Sequence, residues 1–533
     1  MANYSDVWGR IARVVPDRTA IVTVGGERID YGTFDDKASR MASFFVERGV
    51  RAGDKVAINM YNRAEWLIAL FAALKIGAAP VPINFRYRAH EVDLVLEDSD
   101  AVALIYPSSL ADVTSELDIP RQRQLLLIQV DDDSSIPLLP GAVAFERTLD
   151  SAPFETREAP AGSELFIYTG GTTGRPKGVV WGVEEMLEIQ TYPAYGAIGL
   201  ERPESIEAMV AIAVDEATPR PVTLPLSPFM HGTALTSTIN TFLLGGTMVV
   251  VPAPSFDATK TVQAVTENGV TRIIVAGDSV AVRLLEAFES SGVTSIPSLT
   301  SIMSSGMRFS DDTKRRLHAL SDLTITDILA SSEGGPFALG ISTSGDELPA
   351  RLRMTPRTVL FDADHNEVEI VPGAVGMLAF GGSLPKGYYK DEAKTAETFP
   401  IIRGHRYVMP GDYVRVLDDG SIDLLGRGSS VVNSGGEKIY PSEVEEVLLT
   451  HDAVIDAVVF GTPHPSWGEI LTAAVAVEPG KKVTESELQE FVGLTLAGYK
   501  KPRIILLRES LERSPSGKVD MSKLKAAAAE VGA

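Results

Sequence analysis

The 533-residue chain has no cysteine, only seven histidines, and 49 Lys plus Arg against 71 Asp plus Glu, a net charge of −22. Without cysteine there is no disulfide framework, no thiolate nucleophile and no Cys-ligated metal site. With so few cations, the chain is not built to coat DNA, RNA or an anionic membrane. A phosphate-bearing ligand would need a local site that works against the overall field. Long apolar runs are also lacking. The most apolar stretch, Trp66 to Ile83, is interrupted by Lys75, Gly77, Pro80 and Pro82, and its first half is short of the ~20 residues that span a bilayer. It reads as a helix packed inside a domain, with no integral membrane segment. Met1 to Val14 carries Asp6, Arg10 and Arg13, so it does not read as a signal peptide. A cytoplasmic protein is expected.

The remaining composition, 44% hydrophobic and 23% charged, is ordinary globular usage. Length alone suggests three or four domain-sized units of ~150 residues. Short apolar runs such as Lys55-Val-Ala-Ile-Asn, Ala101-Val-Ala-Leu-Ile-Tyr, Arg272-Ile-Ile-Val-Ala and Ser301-Ile-Met-Ser-Ser alternate with helical patterns. Continuous apolar strands separated by helices predict parallel sheets covered on both faces. The expected class is therefore α/β. A large N-terminal domain of packed α/β sheets would occupy 1–425, a hinge 426–430, and a small mobile α+β domain 431–533. Asp131 to Pro160 and Gly199 to Pro221 read as insertions without a clear period. Ser442 followed by Glu445 predicts a capping box at the first helix of the small domain.

The segment Tyr168-Thr-Gly-Gly-Thr-Thr-Gly-Arg-Pro-Lys-Gly178 is the most informative. Its glycines and threonines follow a predicted strand, Glu164 to Tyr168, and would offer backbone N–H groups and hydroxyls to phosphate oxygens. Lys177 adds a point charge. The loop is not a Walker A motif, because Lys177 follows Pro176 and precedes Gly178.

This segment resembles the phosphate-binding signature of the adenylate-forming superfamily, which includes acyl-CoA synthetases, luciferases and peptide-synthetase adenylation domains. Further stretches resemble family motifs in the family's order: Leu74-Lys-Ile-Gly-Ala-Ala-Pro-Val-Pro-Ile-Asn-Phe-Arg86, Ser331-Ser-Glu333, Tyr407-Val-Met-Pro-Gly-Asp412, Gly426-Arg427 and Ser514-Pro-Ser-Gly-Lys518. The resemblance covers nearly the whole chain and implies an enzyme, an acid–thiol ligase. ATP first converts a carboxylic acid to an acyl-adenylate, and coenzyme A then displaces AMP. Such chemistry is mainly charge neutralisation and alignment.

The resemblance implies a role for each matching residue. Thr169, Gly170, Gly171, Thr172, Thr173, Gly174 and Lys177 would cradle the β,γ-phosphates, and Glu333 would ligate Mg²⁺. Ser332 offers a hydroxyl to the α-phosphate. Asp412, assisted by Arg427, would hold the ribose, and Lys518 would stabilise charge at the α-phosphate. Asp327 would meet the adenine amino group beside Ser305, Gly306 and Met307, although Leu329 stands where many members carry a stacking Tyr. Ser429 replaces the usual hinge Asp. Arg86, the turn with Gly435 and Gly436, and Trp467 would contact coenzyme A.

Amino-acid-activating members of the resembled superfamily carry an Asp directly after the position matched by Phe229, to pair with the α-amine; Met230 cannot do so, which argues against an amino-acid substrate. His231 reads either as a gate between acyl pocket and thiol tunnel or as a buried structural histidine. Small residues stand where the resemblance places the pocket wall, at Ser304, Ser305, Gly306, Ala330, Ser331, Gly334 and Gly335, and leave volume for a bulky apolar acyl group. The pattern is most similar to actinobacterial ligases for fatty acids and steroid side chains. Loading of a carrier protein, or acyl binding without catalysis, are the rival readings. The expected partner is a small carboxylic acid, with no nucleic acid; a homodimer is left open.

Overall fold

The computed structural model describes residues 3–155, 160–169, 176–307, 309–346, 348, 350–427, 432–434, 437–464, 468–496, 498–514 and 517–531. The chain forms two compact units. The first is Met1–Ala350 with Gly381–Ile401, and the second is Arg351–Phe380 with Ile402–Ala533. The expected hinge at 426–430 falls within the second unit, and its residues 428–430 lie outside the described residues.

In the first unit, the strand Lys55–Ile58 lies between Ala79–Pro82 and Ala101–Pro107. The sheet continues through Leu126–Val130 to Val143–Ala144, with every pairing parallel. A second sheet runs in the order Gly334–Ser342, Thr324–Ser331, Ser301–Ser305, Arg272–Val275, Val222–Pro225, Thr247–Val250, Thr19–Thr23, Arg28–Asp30. Its interior pairings are parallel, while Gly334–Ser342 and Arg28–Asp30 are antiparallel to their neighbours. The short apolar strands are buried because helices cover the faces, and Leu224, Val249, Ile273, Val275 and Ile302 join Leu284, Phe288 and Leu317 in one core. A small antiparallel sheet orders Gly387–Tyr388, Lys177–Gly182 and Glu164–Thr169.

The helix Ala64–Lys75 buries every residue except Glu65. At 1.5 Å per residue it is about 18 Å long, and among the described residues no helix is long and apolar enough to cross a membrane. Its Lys75 is tolerated inside because the ammonium meets Asp35 at 2.6 Å. Phe71 on the same helix is an aromatic hub, with ring centroids 4.2 Å from Trp8, 5.2 Å from Phe34, 5.5 Å from Tyr4 and 5.8 Å from Phe242.

The stretch Gly199 to Pro221 contains a helix, Ile206–Val214, which the sequence reading missed. Ser205 caps it by accepting the Ala208 N–H at 3.2 Å. Its run Ile-Glu-Ala-Met-Val-Ala-Ile-Ala-Val is apolar on nearly every side and so shows little helical period.

In the second unit, Val375–Gly381 pairs antiparallel with Thr358–Phe361 and Asp412–Val416, and the latter pairs antiparallel with Ile422–Arg427. The C-terminal part is α+β. Gly468–Val477 pairs antiparallel with Val454–His464 and parallel with Ile504–Arg508. Alternation along the strand feeds two cores: Ala473 and Val475 meet the helices Pro441–Leu449 and Glu485–Thr495, whereas Ala474 and Ala476 meet Met521–Val531. The capping box at Ser442 and Glu445 does not form. Pro441 takes the first helical position, which makes Tyr440 the N-cap. The Ser442 hydroxyl donates to Leu424 O, and Glu445 accepts the Val459 N–H at 2.7 Å.

Phe71→Ala should lower the stability of the first unit by about 3–5 kcal/mol, read as an earlier urea midpoint. A shift too small to resolve would show that the ring cluster collapses around the deletion.

Candidate active site

Ligands of parallel α/β sheets bind outside the carboxyl ends of the strands. At those ends, Ser304 stands in register with Val275 and Asp327, and Ser305 with Ile328. The Ser304 hydroxyl accepts the Gly277 N–H at 3.0 Å, and the Ser305 hydroxyl donates to Ile328 O at 2.8 Å. Gly306 and Met307 form the bend that follows. Asp327 is held by Lys314, whose Nζ lies 3.1 Å from Oδ2 and whose side chain is only 4% exposed. Burial pushes the Asp327 carboxyl above its ordinary value; Lys314 opposes the rise and Asp278 adds to it.

The acidic motif sits on a tight turn between Thr324–Ser331 and Gly334–Ser342, where Ser331 opposes Gly334. Gly335, at φ +116°, allows that turn: a Cβ there would lie 3.2 Å from the Ala330 Cα. The Trp181 indole N–H donates to Ser332 O at 2.9 Å and pins the turn to the neighbouring strand Lys177–Gly182. Glu333 Oε1 accepts the Tyr388 hydroxyl at 2.7 Å.

The Gly-rich segment joins two paired strands, with Thr169 opposite Lys177. Gly170, Gly171, Thr172, Thr173 and Gly174 lie outside the described residues, as does the side chain of Thr169. Gly178 has a physical reason to be glycine. Tyr168 crosses over it, and a Cβ would come within 2.8 Å of the ring. Lys177 Nζ meets Asp391 Oδ2 at 2.8 Å and lies 5.8 Å from the Tyr388 ring centre. The Lys177 ammonium holds the Asp391 carboxyl below the usual carboxylate range.

Lys177, Trp181, Ser332, Glu333, Tyr388 and Asp391 thus form one cluster inside the first unit. Sequence reading missed Tyr388 and Asp391. The antiparallel pairing of Gly387–Tyr388 with Val179–Val180 brings them in, and no local pattern announces a partner 214 residues away.

Phe229 is buried against Trp66, with ring centroids 5.0 Å apart, and its N–H donates to Asn62 at 2.7 Å. Met230 packs with Tyr61 and Phe85. His231 is exposed at the N-cap of the helix Gly232–Leu243, which removes the buried structural reading. Arg86 is exposed, its guanidinium carbon 4.3 Å from the Phe85 ring centre.

In the second unit, Asp412 lies directly opposite Arg427 across the strand pair; the Arg427 side chain is outside the description. Lys518 is exposed on a loop that closes on itself, Lys518 O accepting the Ser514 N–H at 2.8 Å. Arg513 braces this loop through Gly517 O at 2.8 Å while it forms two bonds to Asp456 at 2.7 and 2.8 Å. Gly435, Gly436 and Trp467 lie outside the described residues.

Glu333 offers one carboxylate to a metal, and among the described residues no cluster of three or more His, Asp or Glu could hold an ion. That donor set fits Mg²⁺, which binds through one or two carboxylates together with substrate phosphates.

Residues 9–389 match the family described as AMP-binding enzyme, and residues 443–518 match the AMP-binding enzyme C-terminal domain. The chain is 36% identical over 529 residues to a medium/long-chain-fatty-acid–CoA/3-oxocholest-4-en-26-oate–CoA ligase of Mycobacterium marinum, covering 97% of this chain and 95% of that one. It is 35% identical over 530 residues to a 3-oxocholest-4-en-26-oate–CoA ligase of Rhodococcus rhodochrous, covering 97% and 94%. Among solved structures, the anthranilate CoA ligase AuaEII in complex with anthranoyl-AMP superposes with a TM-score of 0.81 at 20% identity, over 100% of this chain and 98% of that one.

A carboxyl raised by burial gives stability below its unfolded value and loses it as pH rises. Lys314→Met removes the cation that checks the rise at Asp327. The cost should be roughly 1–3 kcal/mol, less than for a fully buried pair because Asp327 is partly exposed. Thermal melting should show a larger loss at about pH 8 than at about pH 5, and Asp327→Asn in the same chain should remove the difference. Equal losses at both values would mean that Lys314 acts through packing alone.

Proposed function

The chain belongs to the AMP-binding enzyme family, and we propose that it joins a hydrophobic carboxylic acid to coenzyme A at the expense of ATP. The acid carboxylate attacks the α-phosphate, an oxygen–phosphorus bond forms as pyrophosphate leaves, and the acyl-adenylate results. The thiolate of coenzyme A then attacks the acyl carbon and AMP departs. The observation that supports this most directly is the cluster in which Lys177, from the Gly-rich signature, stands beside Glu333, from the acidic motif, through Tyr388.

In this reading, Thr169 to Gly174 and Lys177 take the β,γ-phosphates, and the Ser332 hydroxyl takes the α-phosphate. Glu333 holds Mg²⁺, which when bound neutralises phosphate charge. Tyr388 aims the Glu333 carboxylate. Ser305, Gly306, Met307 and Asp327 form the purine wall. Asp412, a carboxylate able to accept two hydroxyl donors, takes the ribose with Arg427. The small domain, 431–533, turns about 426–430 to deliver Lys518 to the α-phosphate, and Arg513 keeps its loop in shape. Arg86, Gly435, Gly436 and Trp467 receive coenzyme A, and the exposed His231 stands between the acyl pocket and the thiol path.

The relatives' names favour a fatty acid or a steroid side-chain acid, which suits the small residues Ser304, Gly306, Ala330 and Gly335 near the strand ends. They also favour coenzyme A over a carrier protein as acceptor. The enzyme works in the cytoplasm.

Pyrophosphate release over a panel of short, medium and long fatty acids, aryl acids and steroid side-chain acids tests the reading. Release with apolar acids, with full turnover only when coenzyme A is added, is expected. Lys518→Ala should lower acyl-adenylate formation by about 10²–10³-fold while ATP still binds; unchanged turnover would remove Lys518 from the mechanism.

A further inference from the structure

Asp391 uses its two oxygens for different purposes. Oδ1 accepts the Lys394 N–H at 2.9 Å as the N-cap of the helix Glu392–Thr398, and Oδ2 holds the Lys177 ammonium at 2.8 Å. A carboxylate beside a phosphate-binding loop is repulsive to the ligand, so its presence calls for a reason other than ligand contact. The pair is 28% and 33% exposed, within reach of an incoming anion.

The Asp391 end is anchored. On the same turn, Lys390 pairs with Asp100 at 2.8 Å and the Tyr389 hydroxyl donates to Asp100 at 3.0 Å. The Lys177 end is a flexible four-carbon stem carrying three donors. Any exchange of partners therefore moves the lysine and leaves the aspartate in place.

We propose that Asp391 is a placeholder anion: it holds the Lys177 ammonium before ATP arrives, yields it to the polyphosphate of ATP, and retakes it as pyrophosphate leaves. The proposal rests on the reading of Lys177 as the β,γ-phosphate cation. Asp391 fixes where the ammonium rests and keeps a lone cation from recruiting stray anions. Its charge, left behind when Lys177 moves, weakens the hold on pyrophosphate and hastens product release.

Asp391→Asn separates the two tasks, because asparagine caps a helix as well as aspartate does but no longer offers an anion to Lys177. Calorimetric titration with ATP, and separately with pyrophosphate, in the absence of any acid substrate gives the dissociation constants without turnover. Both should fall by about two- to fivefold in Asp391→Asn, the fold-change that a partly exposed ion pair supports. The gain should vanish when Lys177→Ala is also present. If Lys177→Ala alone weakens ATP binding while Asp391→Asn leaves it unchanged or weaker, the placeholder role is overturned and the phosphate role of Lys177 stands. If Lys177→Ala leaves ATP binding untouched, both are overturned.

Discussion

The Lys177 ammonium, held at 2.8 Å by Asp391 beside the Glu333–Tyr388 hydrogen bond, is the interaction on which the site depends. The chain carries a net charge of −22, and its proposed reaction brings an anionic acid to a polyanionic nucleotide. The general field therefore opposes binding at every distance beyond the local site. Attraction has to come from a few cations placed within contact range, each protected from being neutralised in the wrong place. Two strands of the small sheet do this placing: Lys177 opens the middle strand, Trp181 further along it grips the acidic turn through Ser332, and Tyr388 on the next strand reaches Glu333. Pairing of short strands thus converts three distant stretches of sequence into one charged constellation.

Much of the scaffold was legible because it is local. Lys55–Ile58, Arg272–Val275 and Ser301–Ser305 are strands where apolar runs stand between helical patterns, and they pair parallel as such runs should. The helix at 64–75 follows equally from its residues. What failed was also local, and for identifiable reasons. The helix Ile206–Val214 carries apolar side chains on too many sides to show a period. At Ser442, the preference of proline for the first helical position outweighed the capping-box spacing.

The site divides in the same way. Lys177, Glu333, Ser332, Asp412 and Lys518 could be named as candidates from the order of their motifs, since each sits in a short recognisable stretch. Lys314, Tyr388, Asp391 and Arg513 could not, since each matters through a partner supplied by the fold: Asp327, Glu333, Lys177 and the Ser514–Lys518 loop. For His231, exposure removes the buried structural reading, which residue type alone could not do. Residues that touch a ligand are constrained by chemistry and carry a motif. Residues that orient them need only stand in the right place, and many sequences achieve that.

In the proposed reaction the acid's own oxygen attacks the α-phosphate of ATP. Labelling the carboxylate oxygens of an accepted acid with heavy oxygen and weighing the products tests this directly. One labelled oxygen is expected in the AMP released after thioester formation and none in pyrophosphate. AMP without label, or label in inorganic phosphate or pyrophosphate, would contradict acyl-adenylate chemistry at this site.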